Sequence, residues 1–386
     1  MKSDYTYDFL IIGGGISACV FASNYLRNNI TKKIALVEVG RGLGGRSSTR
    51  FSKRFKGWEL NHGAPNLNIS NSKNNLSLKS YIDELLENKF IKIDDSELVL
   101  LNESHSENIK KSEFLCGVNY LSLFSMSQLS QKIIEFYDLK GKIDFYFETQ
   151  IVDLKFNNNE WNLTSKNGDE FKSKYLICTT NLLAHKRSME ILKINHIPLR
   201  KAISKNKDRK IDLLLNFLDD QTFIPRLTFL IYTNQNYSYK DYYSKKYRYF
   251  HLGKNQENKY KFERVIFQLQ EDKKLGIVIH SKNIDFIKSY VKSKNDELFR
   301  QKIYRSFNEL FEGNSSINQL TGNEAISIMK WRASQPSGCA VPLSLQFSRK
   351  HRIGFCGDWF EGEGFARIEG SIHSALILVK KFNTLN

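Results

Sequence analysis

With 386 residues the chain is long enough for two domains or one large discontinuous one, and 41% hydrophobic residues are ample for a packed core. Lys and Arg number 58 against 41 Asp and Glu, a formal charge of +17 that favours anionic partners. The lysines are spread among Asn and Ser, with no arginine-rich tract and no zinc-ligand spacing. Nucleic-acid binding is therefore set aside in favour of attraction for anionic small molecules.

The stretch Tyr7 to Arg46 organises the rest. Asp8–Ile12 is an apolar run sufficient for one buried strand, broken by Gly13, Gly14 and Gly15. Ile16–Leu26 carries apolar and small residues at helical spacing, and Ile34–Val39 is a second apolar run containing Glu38. Strand, glycine turn, helix and strand make a βαβ unit. Gly13 to Ala18 fits G-x-G-x-x-G/A: Gly13 for the tight turn, Gly15 for backbone approach to a pyrophosphate, Ala18 for close helix packing. The helix N-terminus, at Ile16 and Ser17, favours phosphate, and Glu38 is placed to accept ribose hydroxyls. A glycine-rich turn in an ordinary α/β domain would leave Glu38 and the glycines after it unexplained.

Arg41-Gly42-Leu43-Gly44-Gly45-Arg46 follows. Its adjacent glycines let the backbone pass close to a ligand, and Arg46 offers a donor fork suited to phosphate. In WELNHGAPNL, residues 58–67, Gly63 and Ala64 mark another close backbone approach, a planar ring being one occupant. His62 reads as either a structural or a chemical histidine. Tyr81–Lys89 predicts a helix, 95–112 a polar connection and Tyr120–Phe136 a second helix. Lys142–Leu154, with Val152, reads as a strand region. Trp161–Thr164 and Tyr175–Thr179 are further strands, joined through a turn at Lys166–Asp169.

From His196 to Thr321 the pattern changes. Ile211–Leu218, Arg226–Tyr232, Arg264–Gln270 and Gly276–His280 read as strands, several alternating in polarity as antiparallel strands with one wet face do. Ile284–Phe311 predicts a long helix broken near Asn295. Between Tyr232 and Lys254, tyrosines alternate with lysines, a pattern that serves either a stacking surface or ordinary packing. His351–Cys356 is a strand closed by Gly357-Asp358, and Ile368-Glu369-Gly370 opens a helix over Ser371–Lys381.

The five cysteines show no short pairing pattern, which suggests reduced thiols and a cytoplasmic setting. The first apolar run is too short for a signal peptide, and no run approaches the ~18 residues of a membrane span. No H-E-x-x-H, zinc spacing, G-x-S-x-G elbow or second glycine fingerprint occurs, so no metal is expected.

The motifs GGGISA, Glu38, GLGGR, NHGAP, KWRASQP, and GFCGDW followed by RIEGSIHSALILVKK together resemble the flavin amine oxidase superfamily, and within it the renalase-like proteins. The resemblance covers the first 70 residues, a patch near Val152 and the last 60. It departs at Asn61 and Pro65, where an acid and Gly-Ala-Gln are usual, and it does not extend to the substrate domain. It implies an α/β fold: a Rossmann-type, two-dinucleotide-fold FAD-binding domain with an inserted α+β substrate domain on an antiparallel sheet. The FAD-binding domain takes 1–74, 140–195 and 322–386, and the substrate domain 75–139 and 196–321.

The resemblance further implies non-covalent FAD. Gly13, Gly15, Ile16 and Ser17 meet its pyrophosphate, Glu38 the adenosine ribose and Val152 adenine. Arg46 lies near the phosphates or ribityl chain, Asp358 on the ribityl chain and Ile368 to Gly370 at the pyrimidine edge; Gly45, Gly63, Ala64 and Gly357 complete the expected cofactor-binding set. Trp331, Arg332 and Trp359 are candidates for positioning the substrate, each Trp being equally readable as core packing. The implied activity is hydride transfer from a small-molecule donor, an amine or reduced nicotinamide isomer, to flavin N5 with reoxidation by oxygen. A carotenoid-type dehydrogenase or desaturase and an FAD-binding protein without turnover remain open, as does oligomeric state.

Overall fold

The computed structural model describes residues 2–384 apart from 54–55, 71–74, 102–106, 109–116, 138, 140, 237–246, 271–273, 313–318 and 323. Its first sheet is built around the strand Lys2–Ile12, which runs parallel to Ile34–Val37 on one side and Glu170–Cys178 on the other. Ile143–Tyr146 lies parallel outside Ile34–Val37, and Ile353–Phe355 parallel beside Glu170–Cys178. The register fixes the functional edge. Ile12 pairs with both Val37 and Cys178, and Cys178 pairs with Phe355. Four parallel strands therefore end at one level, and Gly13, Glu38, Thr179 and Gly357-Asp358 emerge together.

Side chains on the first strand alternate between two cores, as strand geometry requires. Phe9 and Ile11 face a helical layer that includes Ile16–Arg27, Leu76–Glu87, Met126–Glu135 and Ile368–Asn383. Leu10 and Ile12 face the core of Trp161, Leu163 and the helix Arg209–Asp220; Tyr7 breaks the alternation, joining that core while its hydroxyl bonds Asp144 and Tyr146. The helices Leu76–Glu87 and Met126–Glu135, assigned from sequence to the substrate domain, bury their apolar faces in the same cluster as the first helix.

The second sheet has seven strands, in the order Ala325–Gly338, Gln221–Asn236, Lys274–Ser281, Arg264–Leu269, Tyr247–Leu252, Glu97–Leu101, Glu107–Asn108. One face packs on Ile284–Ser293 and Asp296–Leu310, separated at Asn295, whose side chain caps the second helix through Leu298 N. The other face covers Trp58 and Leu60. There the side chains of Gln268 and Gln270 stand in for a strand: Gln268 accepts from Asn61 N (2.8 Å) and donates to Asn61 O (2.9 Å), and Gln270 does the same at Glu59. Gly276 lies under Leu60, where a Cβ would sit 2.2 Å from Leu60 Cδ2.

Three sequence expectations change. Ile211–Leu218 is helical, not extended: Asp208 caps it by accepting from Lys210 N and Ile211 N, and Ile211, Leu214, Leu215 and Leu218 form one buried stripe at helical spacing. Tyr120–Phe136 divides into the strand Val118–Ser122 and a helix that starts at the capping box Ser125/Gln128. The polar connection 95–112 contains the strand Glu97–Leu101, which pairs with Tyr247–Leu252. In the tyrosine-rich stretch Tyr249 is buried and donates to Asp94 (2.8 Å), whereas Tyr237, Tyr239, Tyr242 and Tyr243 lie outside the described residues. Cys19, Cys178, Cys339 and Cys356 are free thiols, and Cys116 lies outside the described residues. Among the described residues no helix is long and apolar enough to cross a membrane.

Candidate functional site

The glycine turn has the conformation its motif demands. Gly13 adopts φ +101°, and a Cβ there would stand 2.6 Å from Thr179 Oγ1. A Cβ on Gly15, by contrast, would meet nothing within 4 Å, so that side of the turn is open. Gly15 is the cap of the first helix, and with no side chain it leaves the leading amides, from Ile16 and Ser17, available to an anion. Glu38 accepts from Gly14 N and Gly40 N, each at 2.6 Å, which holds its carboxylate beside the turn with lone pairs to spare.

The GLGGR loop folds back on the turn. Gly44 N donates to Gly14 O (2.9 Å), and a Cβ on Gly45 would approach Gly15 Cα to 3.1 Å. Arg46 then reaches across to the last motif, its Nη1 and Nη2 each donating to an Asp358 carboxylate oxygen at 2.6 Å. Residues 312 positions apart thus close one end of the site on the other. Asp358 is buried and Arg46 partly exposed. Thr149 N bonds Glu38 O (3.0 Å), bringing the segment that leads to Val152 alongside Glu38.

Gly63 has a packing reason that the sequence does not show. A Cβ there would lie 2.0 Å from the backbone oxygen of Arg46, the same oxygen that accepts from Ala64 N (3.0 Å). Backbone cannot swing away as a side-chain tip can, so Gly63→Ala is expected to cost at least ~3 kcal/mol, at the upper end of overpacking penalties. The check is a circular-dichroism melt; a variant within a degree of wild type contradicts it. Gly364 and Gly370 are coupled in the same way, a Cβ on Gly370 meeting Gly364 O at 2.3 Å. Ile368 and Gly370 open the last helix, whose Glu369 is buried against Arg367 (2.5 Å) and Ser70.

The positioning candidates separate. Trp359 is buried, tilted against Phe360 and packed over Gly357, yet its Nε1 has no partner. Trp331 sits on the edge strand of the second sheet and stacks on His62, with centroids 5.2 Å apart. Arg332, next along the strand, is exposed. Burial, then the charge of Arg50, lowers the His62 pKa to about 4, so the ring is neutral near pH 7. Its Nε2 is 3.3 Å from Ser48 Oγ, and its buried Nδ1 has no partner. The backbone carbonyl of His62 is held by His280 Nε2 (3.0 Å). Arg264 Nε donates to His280 Nδ1 (2.7 Å), which fixes the tautomer that donates to His62.

Two further arginines are held by neighbouring side chains, Arg226 on the second sheet and Arg187 after the strand Glu170–Cys178. Arg226 donates through Nε and Nη2 to the two oxygens of Glu263, at 2.7 and 2.8 Å. Arg187 donates to Asn181 Oδ1 (3.2 Å), and its guanidinium carbon stands 3.5 Å from the Phe223 ring centre. The apolar strand ending in Thr179-Thr180-Asn181 is a sequence signal for this corner; Arg187 itself carries none. A surface cleft of 680 Å³ lined by Arg27, Asp83 and Glu84 lies at the opposite end of the first helix from Gly15. No group of three or more metal-ligating side chains occurs among the described residues.

The arrangement suits a dinucleotide: open glycine backbone and free amides for a diphosphate, an oriented carboxylate for ribose, and unpartnered buried donors at Trp359 and Arg187. Residues 11–85 match the family model described as NAD(P)-binding Rossmann-like domain. Curated protein sequences give no match. Among solved structures, a redesigned triple mutant of putrescine oxidase matches with TM-score 0.67 and 10% identity over 99% of both chains. Wild-type putrescine oxidase bound to putrescine gives 0.66 and 10% over 100% of both. A putative protoporphyrinogen oxidase from Exiguobacterium sp. 255-15 gives 0.64 and 12% over 100% of both. The chain is therefore a mixed α/β protein built on an NAD(P)-binding Rossmann-like domain, with the fold of putrescine oxidase from end to end.

Proposed function

We propose that the chain is an FAD-dependent oxidoreductase of the oxidase type, renalase-like within the flavin amine oxidase superfamily. It takes a hydride from a small-molecule donor, an amine or a reduced nicotinamide isomer, with oxygen as reoxidant. The observation that carries this reading is the Arg46–Asp358 clasp, which joins the opening glycine loop to the closing acid at the shared edge of four parallel strands. A long dinucleotide gripped at both ends needs such an edge. The shared fold with putrescine oxidase, solved with putrescine bound, favours an amine donor.

FAD, when bound, supplies a two-electron acceptor that no side chain here provides. The chain's own residues bind and orient. Gly13, Gly15, Ile16 and Ser17 receive the diphosphate. Glu38 takes the adenosine ribose, and the Val152 backbone takes adenine. Gly45 and Arg46 steer the central phosphates. Gly357 and Asp358 hold the ribityl chain, and Gly63, Ala64, Ile368 and Gly370 border the ring. Trp331 and neutral His62 form a wall of the donor pocket, where the free Nδ1 of His62 orients the donor. Trp359 fixes Gly357 from behind, and exposed Arg332 meets the donor's outer end.

The test is a donor screen on the purified chain. A flavin band near 450 nm that bleaches anaerobically with putrescine or reduced nicotinamide isomers, and returns with peroxide on aeration, is the expected result. A colourless protein that takes up no FAD defeats the proposal, and a yellow protein inert to every donor reduces it to flavin binding.

A further inference from the structure

A guanidinium drawn partly out of water, as that of half-buried Arg187 is, favours an anion beside it, because an unpaired charge loses hydration that only a partner replaces. Arg187 has none. Its contacts among the described residues are neutral: Asn181 Oδ1 at 3.2 Å and the face of Phe223 at 3.5 Å. Its Nε is buried without a partner. Burial, and then the charge of neighbouring Arg46, lowers its pKa to about 10. Both effects work against the cation, yet the fold holds the side chain there.

It is held by a relay. Asn181 Nδ2 donates to Gln221 Oε1 (2.8 Å), and Gln221 Nε2 donates to Cys339 O (2.9 Å) and Trp359 O (3.3 Å). Arg187 is thereby tied to the segment that carries Asp358. Asn181 follows Thr179, whose hydroxyl bonds Ile12 O (3.0 Å) and Gly13 O (3.3 Å) at the glycine turn. The relay places the guanidinium at the carboxyl edge of the parallel strands. Arg46 is matched by Asp358, so Arg187 is the uncompensated cation of that pair of arginines. Stacking on Phe223 keeps the planar fork oriented and leaves its remaining N–H groups to a ligand.

We propose that Arg187 is an anion-binding residue which, beside Arg46, receives an oxyanion, phosphate or carboxylate, at the carboxyl edge of the first sheet. The oxyanion belongs either to the diphosphate of the dinucleotide or to an acidic group on the donor molecule. The first source rests on the flavoprotein reading, whereas the anion site itself does not.

The experiment compares the full-length chain with Arg187→Met and Arg187→Lys, using FAD and inorganic pyrophosphate as probes. FAD release is followed by fluorescence on dilution, pyrophosphate binding by calorimetry, and folding by circular dichroism. Loss of a charge-assisted pair of hydrogen bonds predicts FAD binding ten- to a hundred-fold weaker in Arg187→Met, with Arg187→Lys between the two. That outcome assigns the cofactor's diphosphate. Unchanged FAD release with loss of the pyrophosphate heat from the flavin-loaded protein assigns the donor's anion instead. A wild-type chain that takes up no flavin but binds pyrophosphate, and loses it in Arg187→Met, keeps the anion site while the flavoprotein reading falls. A folded Arg187→Met matching wild type for both probes overturns the proposal. So does a wild-type chain that binds neither probe, a result that stands even if the variant does not fold.

Discussion

Arg46→Ala is expected to purify without flavin and to melt several degrees below wild type. Both effects have one source. The substitution deletes the two 2.6 Å hydrogen bonds to Asp358 and leaves that acid buried and alone. Breaking a buried ion pair from one side costs ~3–5 kcal/mol, and the partial exposure of Arg46 puts this case at the lower end, ~3 kcal/mol. On the proposed cofactor placement the stranded carboxylate would add repulsion toward an anionic dinucleotide to the lost attraction of Arg46. Cofactor affinity should fall at least a hundred-fold. A double variant separates the two contributions. Arg46→Ala with Asp358→Asn removes the stranded charge, so the melting temperature should recover while flavin binding does not. If Arg46→Ala binds FAD as tightly as wild type, the clasp is a structural tie and no part of a cofactor cradle.

What the sequence makes legible follows from the range of the interactions. Gly13 to Ala18, Glu38 and the final helix are set by local rules, such as a glycine φ, a strand end or helical spacing, and each stands where those rules put it. The apolar run Ile211–Leu218 is too short for composition to decide between strand and helix; the 3, 4, 7 spacing and the Asp208 cap are the deciding signals. Other features are invisible along the chain because their partners lie far away. Gly63 is a glycine because of the carbonyl of Arg46, and Gly276 because of Leu60. Arg187 acquires its meaning from Phe223, Asn181 and the absence of an acid on it among the described residues. The linking glutamines, Gln268 and Gln270, look like ordinary polar positions on a strand until the strand Glu59–Asn61 is laid against them.

The face of the second sheet turned toward that strand leads to the other large expectation, an early loss of stability in acid. His62 and His251 have pKa values of about 4, and His280 lies well below the usual histidine range. The first cause in each is burial, reinforced by cations: Arg50 for His62, and Arg264, with Arg226 and for His251 also Lys282, for the other two; Glu263 opposes this at His251 and His280. In the unfolded chain each histidine takes a proton near pH 6.5. Between about 6.5 and 4 the unfolded state therefore binds more protons than the folded one, and stability falls as pH falls. At pH 5 the loss is ~2 kcal/mol for each of His62 and His251, against a total stability of only ~5–15 kcal/mol. Glu263 extends the trend. Burial alone would raise its pKa, but the hydrogen bonds and charge of Arg226, with Arg264 and Lys282, hold it far below the carboxylate range. Its contribution, present above the unfolded value of about 4.3, is lost as pH drops below that toward the folded pKa. The melting temperature of the flavin-saturated protein should accordingly fall by ~10 °C between pH 7.5 and 5. His251→Gln, which cannot be protonated, should flatten that slope by roughly a third to a half, whatever it does to stability at pH 7.5. A flat profile in wild type, or the same slope in the variant, would mean that these rings are wetter than the packing on this face allows.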